Sequence, residues 1–379
     1  MRVLDALFVL ALGGALAACL FAAMPPSGAA APEQTPNLAK AFAGDFLIGT
    51  ALSEQALRGE DAISAPLLEQ FNAFTAENGV KPDATQPQEG VFRFDQADKL
   101  VEIARRRGNA VVVGHTLIWH SQTPAWFFEG PDGKPVSREL ALKRLRERIA
   151  ALVGRYKGKV AQWDVVNEAI SDSGNEMLRP SPWQKAIGDD YIAEAFRAAR
   201  AADPNAVLIY NDYNIENPGK REKTLKLLKS LRDQGVPVDA VGIQGHWGLD
   251  YPDLRTIETA ITDFAKLGLK VMITELDVSV LPARYQGADV GVRQAREAGL
   301  DPYVAGLPES VARRQAERYH AIFALLRRHR DVVDRVTFWG VHDGQSWKNN
   351  FPIRGRTDYP LVFDRQGKPK PAFWVLTAK

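Results

Sequence analysis

The chain has 379 residues, of which 45% are apolar and 25% charged, and its 48 Lys and Arg against 46 Asp and Glu give a formal charge of +2. This composition excludes a disordered, collagen-like or coiled-coil chain and allows a large core in one or two domains. No basic block is interleaved with aromatics, so the electrostatic case for nucleic acid is missing and a neutral partner is expected.

Residues 7–23 form an apolar run behind Arg2, followed by a Pro/Gly/Ala stretch at 24–32. This is the pattern of a secretory leader rather than a membrane span. Cleavage before Ala31 is expected, which makes residues 1–30 the leader and 31–44 a short N-terminal segment of a secreted or periplasmic protein. Leu16-Ala17-Ala18-Cys19 also resembles a bacterial lipoprotein box, so a lipid anchor through Cys19 is the alternative and the only membrane attachment expected. Cys19 is the single cysteine, so the folded part has no disulfide, no thiolate-held metal and no thiol nucleophile. Its chemistry must come from oxygen and nitrogen.

From residue 46 a short apolar run closing in polar residues recurs eight times, at 46–52, 74–81, 110–119, 160–168, 206–214, 240–246, 270–278 and 335–343. The segments between them carry helical period. Leu254, Ile257, Ile261, Phe264 and Leu267 precede Gly268, and Ala312, Ala316, Tyr319, Phe323 and Leu326 follow steps of four and three. Alternating strand and helix with Val/Ile-rich strands implies a parallel sheet covered by helices, and eight units predict an α/β fold of the (β/α)8 TIM-barrel type in one domain, residues 45–379. The first strand, FLIGTALSEQ, leads into no Gly-rich fingerprint, which disfavours a dinucleotide fold. The long Gly/Pro/Arg-rich excursion at 279–308 is expected to line the site.

In such barrels the chemistry sits where the strands end. The fourth run closes on Asn167-Glu168 and the seventh carries Glu275. A single strand-end Glu reads equally well as half of an ion pair. Two of them, with His, Asn, Gln and Trp at the other strand ends, fit glycosidic cleavage, in which one carboxyl protonates the leaving oxygen and the other attacks C1 or activates water. The remaining ends supply Glu77, Asn78 and Lys81, then His115, Trp119, His120 and Gln122, then Tyr213, Gln244, His246, Trp339 and Trp347. Flat indoles with amide, imidazole and ammonium donors suit sugars, which present apolar ring faces edged by hydroxyls. Asp277, two residues past Glu275 and on the same strand face, is placed to hold His246 against that carboxylate. Trp163, Trp183 and Trp374 read as core residues, and His320 and His329 as helix surface or packing residues.

The segments AENGVK (76–81), GHTLIWHSQTPAWF (114–127), WDVVNEA (163–169), YNDYNIE (210–216), IQGHW (243–247), ITELDV (273–278) and TFWGVHDGQSW (337–347) resemble glycoside hydrolase family 10, the endo-β-1,4-xylanases. The resemblance implies retaining hydrolysis of xylan and xylo-oligosaccharides without a cofactor or metal, with Glu168 as acid/base and Glu275 as nucleophile. It places Lys81, His115, Trp119, Asn167, Gln244, His246 and Trp339 around the sugar at the cleavage point, with Asn167 on its 2-hydroxyl. Glu77, Asn78, Gln122 and Trp347 fall one sugar towards the non-reducing end, where the Trp347 indole would exclude the hydroxymethyl group of glucose, and Tyr213 falls on the aglycone side. Val80, His342 and Lys348 depart from the family's usual Met, Ser and apolar residue, which bears on chain preference rather than on activity. A monomer without an attached carbohydrate-binding module is expected. The rivals are a β-1,4-glucanase, a non-catalytic carbohydrate-binding barrel, and a metal hydrolase built on His115, His120, His246 and Asp277. The odd spacing of His115 and His120 argues against the last, because it sends them to opposite strand faces.

Overall fold

The computed structural model describes residues 35–172 and 174–378. The leader and Cys19 lie outside the described residues. Strands form at β1 (Leu47–Leu52), β2 (Ala73–Ala76), β3 (Val111–Trp119), β4 (Gln162–Asn167), β5 (Val207–Asp212), β6 (Ala240–Ile243), β7 (His246–Gly248), β8 (Lys270–Ser279) and β9 (Val333–Phe338). All pair in parallel in the order β6-β5-β4-β3-β2-β1-β9-β8, and β6 also pairs with β8, which closes an eight-stave barrel. The expected (β/α)8 fold is therefore present.

The nine strands of the described residues make eight staves because the sixth is broken. Gly245 takes φ 82°, a left-handed conformation that glycine enters without steric cost. Past the break, β7 pairs only with β8 and puts His246 directly opposite Asp277. The second stave stops at Ala76 rather than running to Lys81, because Glu77 to Lys81 turn away and Lys81 N–H bonds back to the Asn78 carbonyl at 3.0 Å.

Helices cover the outside as the apolar period predicts. Leu254–Lys266 starts at Asp253, whose carboxylate caps Thr256 N–H at 2.8 Å, buries Ile257, Ala260, Ile261 and Phe264, and ends before Gly268 at φ 72°. Glu309–Arg328 buries Ala312, Ala316, Tyr319, Phe323 and Leu326. A further helix, Leu38–Ala41, belongs to the same compact unit, which begins at Asn37. Its neighbour Phe42 packs on Phe46 and Phe323 at ring distances of 5.3 and 4.9 Å. Trp163 and Trp183 are fully buried, and Trp374 packs edge-on against Phe373. His320 is exposed, and His329 bonds Glu258 at 3.0 Å. Among the described residues no helix is long and apolar enough to cross a membrane.

Candidate active site

Glu168 leaves the end of β4 with φ 58°, a left-handed conformation that costs a non-glycine residue on the order of 1 kcal/mol and persists only when its surroundings fix it. Two bonds do so: its N–H donates to the Asn211 carbonyl at 2.9 Å, and Arg179 Nε donates to its own carbonyl at 3.3 Å. The residue is 3% exposed. Trp119 Nε1 donates to Oε2 at 2.8 Å, and Gln244 Nε2 and Asn167 Nδ2 donate to Oε1 at 2.9 and 3.2 Å. Burial pushes the Glu168 pKa up, the Gln244 and Trp119 bonds oppose this, the charge of Glu275 adds to it, and the net direction is upward.

Glu275, on β8, lies in the same cavity. Asn211 Nδ2 donates to its Oε1 at 2.8 Å, and His246 Nε2 sits 3.3 Å from Oε2. Burial alone would raise this carboxyl too. The His246 hydrogen bond, the fields of His115 and His246 and the Asn211 bond outweigh burial and hold it below the ordinary glutamate value. Two neighbouring carboxyls are thus driven in opposite directions, the pattern that separates an acid from a nucleophile.

Behind Glu275, His246 Nδ1 is bonded to Asp277 Oδ2 at 2.8 Å. Burial disfavours the imidazolium, but Asp277 outweighs it and the His246 pKa is raised. Asp277 is not part of the cavity wall and lies behind His246.

Glu77, Asn78, Lys81, His115, Trp119, Gln122, Asn167, Gln244, His246, Trp339 and Trp347 all face the cavity with the two glutamates, and so do Ala288 and Val290 of the long excursion. Lys81 Nζ bonds Asn78 Oδ1 at 2.9 Å and Gln122 Oε1 at 3.0 Å and lies 4.7 Å from the Trp119 ring centroid. Burial lowers its pKa against the pull of Glu77. His115 bonds Asp164 at 2.8 Å and meets Trp339 edge-on at 5.2 Å.

Three expectations need correction. Tyr213 does not line the cavity: it is 2% exposed, with Lys220 Nζ 3.6 Å from its ring centroid and its hydroxyl bonded to Asp172 and Arg179. Charges brought in by distant loops enclose it. His120 is not part of the cavity wall either: its Nδ1 lies 3.9 Å from Glu168 Oε2, and burial pushes its pKa down to about 4. Nor do His115 and His120 diverge as strict alternation requires. The β3–β4 register shifts between His115 and Ile118, β3 ends at Trp119, and both imidazoles lie beside the site. Among the described residues no three His, Cys, Asp or Glu side chains converge as a metal-binding group.

Asn211 is the functional residue that strand-end reasoning missed. Fully buried on β5, it donates to Asn167 Oδ1 at 2.9 Å as well as to Glu275, and its Oδ1 accepts from Thr274 Oγ1 at 2.6 Å. Room for it comes from Gly242, where an added Cβ would lie 2.4 Å from Asn211 Oδ1. The signal the sequence carried is its place at the start of the polar close of the fifth run, Asn211-Asp212-Tyr213-Asn214. Replacing Asn211 by Ala removes a donor from the ionised Glu275, so kcat/KM should fall roughly tenfold to a hundredfold, at a cost of about 1.5–3 kcal/mol for a hydrogen bond to a charged group. The same variant should move the acid side of the pH profile upward, measured by aryl glycoside kinetics across pH.

The chain matches the family model described as Glycosyl hydrolase family 10 over residues 37–379. It is 44% identical to the endo-1,4-beta-xylanase of Geobacillus stearothermophilus, over 89% of this chain and 97% of that protein. It is 42% identical to endo-1,4-beta-xylanase B of Paenibacillus barcinonensis, over 90% and 98%. Among solved structures, a GH10 endoxylanase retrieved from sugarcane soil metagenome superposes with a TM-score of 0.87 at 41% identity, covering 90% of this chain and 99% of that one. With the barrel, the paired glutamates at the ends of its fourth and seventh staves and a family match along nearly the whole described length, the chain belongs to glycosyl hydrolase family 10.

Proposed function

We propose that the protein is an endo-1,4-β-xylanase that cleaves internal bonds of xylan with retention of anomeric configuration. The observation that carries this reading is the pair of buried glutamates in one sugar-sized cavity, one with its pKa raised and the other with its pKa lowered. In the first half-reaction, Glu275 attacks C1 as Glu168 gives its proton to the leaving oxygen, and a glycosyl-enzyme forms. Covalent attachment removes the Glu275 charge. The Glu168 pKa then falls, and the same carboxylate takes a proton from the incoming water. Asn167, tied to Asn211 and Gln244, is oriented to bind the sugar 2-hydroxyl, where hydrogen bonds strengthen in the oxocarbenium-like transition state. Trp339 and Trp347 supply flat apolar walls.

Reducing-sugar release from xylan set against release from a soluble cellulose derivative tests this reading. Xylan should be the preferred substrate, and a preference for the cellulose derivative would replace the xylanase reading with that of a glucanase.

The opposed pKa directions also predict pH dependence. kcat/KM rises with pH as Glu275 ionises and falls as Glu168 loses its proton, so the profile is a bell with its acid limb below the ordinary glutamate range and its alkaline limb above it. In Glu168→Gln, assayed on an aryl xylobioside with a good leaving group, the alkaline limb should vanish. Its persistence would assign that limb to His246.

A further inference from the structure

Asp277 uses one carboxylate oxygen twice and leaves the other without a hydrogen-bond donor. Oδ2 accepts from His246 Nδ1 and from Trp347 Nε1, both at 2.8 Å, whereas Oδ1 is buried and unbonded. Facing that second oxygen is Lys348, with Nζ 3.9 Å away. Lys348 is only 6% exposed. Its ammonium lies 4.5 Å from the ring centroid of Trp347 and 5.8 Å from that of Phe351, and those rings stack on each other at 4.5 Å. A buried ammonium is costly unless an anion compensates it. The titratable groups that face it are Asp277 and His246 from the barrel and Asp358 from the C-terminal loops.

We propose that Lys348 is a positioning residue for the nucleophile: its charge at Asp277 Oδ1 keeps that carboxylate an acceptor for His246 and Trp347 together, and so holds the imidazole on Glu275 and the indole across the cleft. The proposal rests on the reading of Glu275 as nucleophile. Lys348 adds a cation to the carboxylate–imidazole–carboxylate row. The sign follows from Coulomb's law. At acid pH His246 is already charged, and the Lys348 charge further favours ionised Asp277 and Glu275. Removing it lets both site glutamates hold protons to higher pH, so both limbs of the bell move upward.

The test is kcat/KM for an aryl xylobioside across pH in the parent, Lys348→Met and Lys348→Arg. The Met variant keeps the apolar stem over Trp347 and loses the charge. Its acid limb should rise by about half a pH unit, which lowers kcat/KM on that limb roughly threefold. Lys348→Arg should keep the parent limb. A Met profile that superposes on the parent after scaling, or an Arg profile displaced as far as the Met profile, overturns the role given to Lys348. If Lys348→Met does not fold, Lys348→Gln carries the same expectation and the same refutation. The nucleophile assignment fails on a separate result, retained turnover in Glu275→Ala.

Discussion

Glu275→Ala is expected to abolish turnover of xylan and aryl xylobiosides alike, with kcat falling on the order of 10^5-fold, or about 7 kcal/mol of lost transition-state stabilisation. The other carboxyls at the cavity are not poised to replace it, and Glu77, on its wall, has its pKa raised by burial. Glu168 is held by Trp119, Gln244 and Asn167 with its pKa raised, and Asp277 stands behind His246, outside the cavity. Because the nucleophile is needed whatever the leaving group, the loss should be the same for good and poor leaving groups. Steady-state kinetics on both substrate types measure it, with circular dichroism checking that the variant is folded.

Glu168→Ala should behave differently, and the difference separates the two roles. On xylan, whose leaving oxygen needs a proton, kcat should fall about 10^3-fold, within the range of general acid catalysis. On an aryl xylobioside with a good leaving group, the first step proceeds unaided and the slow step becomes hydrolysis of the glycosyl-enzyme. A burst of phenolate followed by slow turnover is expected. Azide, which needs no base, should restore turnover and yield the β-glycosyl azide. An α-glycosyl azide, or wild-type activity on xylan, would reverse the assignment.

The barrel was legible because continuous Val/Ile-rich runs are how buried parallel strands read, and all eight runs became staves. The glutamates were legible for a related reason: a carboxyl closing an apolar run is expensive to bury without a task. Features that depend on where another segment arrives were hidden. Asn211 matters because Gly242 clears space beside it and Thr274 and Glu275 come to meet it. Tyr213 left the expected cleft wall because Arg179, Asp172 and Lys220, separate in sequence, surround it. The break in the sixth stave falls at Gly245 between the polar residues Gln244 and His246, which read as the end of a strand and gave no sign that pairing resumes at His246. Arg335 was equally hidden. It points into the barrel interior, bonded to Gln162 at 2.8 Å and to Thr337, with burial pushing its pKa down to about 10.

The long excursion shows the same dependence on distant partners. Its Asp289 pairs with Arg179 at 2.9 Å, and the Gln286 carbonyl accepts from Asn214 at 2.9 Å. Those contacts bring Ala288 and Val290 to the cavity, and through Arg179 they reach the carbonyl of Glu168. Nothing local in the sequence marks that connection.

The division of labour between the two glutamates is tested most directly by trapping. A 2-deoxy-2-fluoro xylobioside with a good leaving group slows both half-reactions but leaves the first faster than the second, so the covalent intermediate accumulates. Intact mass should rise by one fluoroxylobiosyl unit, and peptide mapping should place that unit on Glu275 of ITELDV. A label on Glu168, or complete turnover of the probe with inverted product and no mass increase, would contradict it.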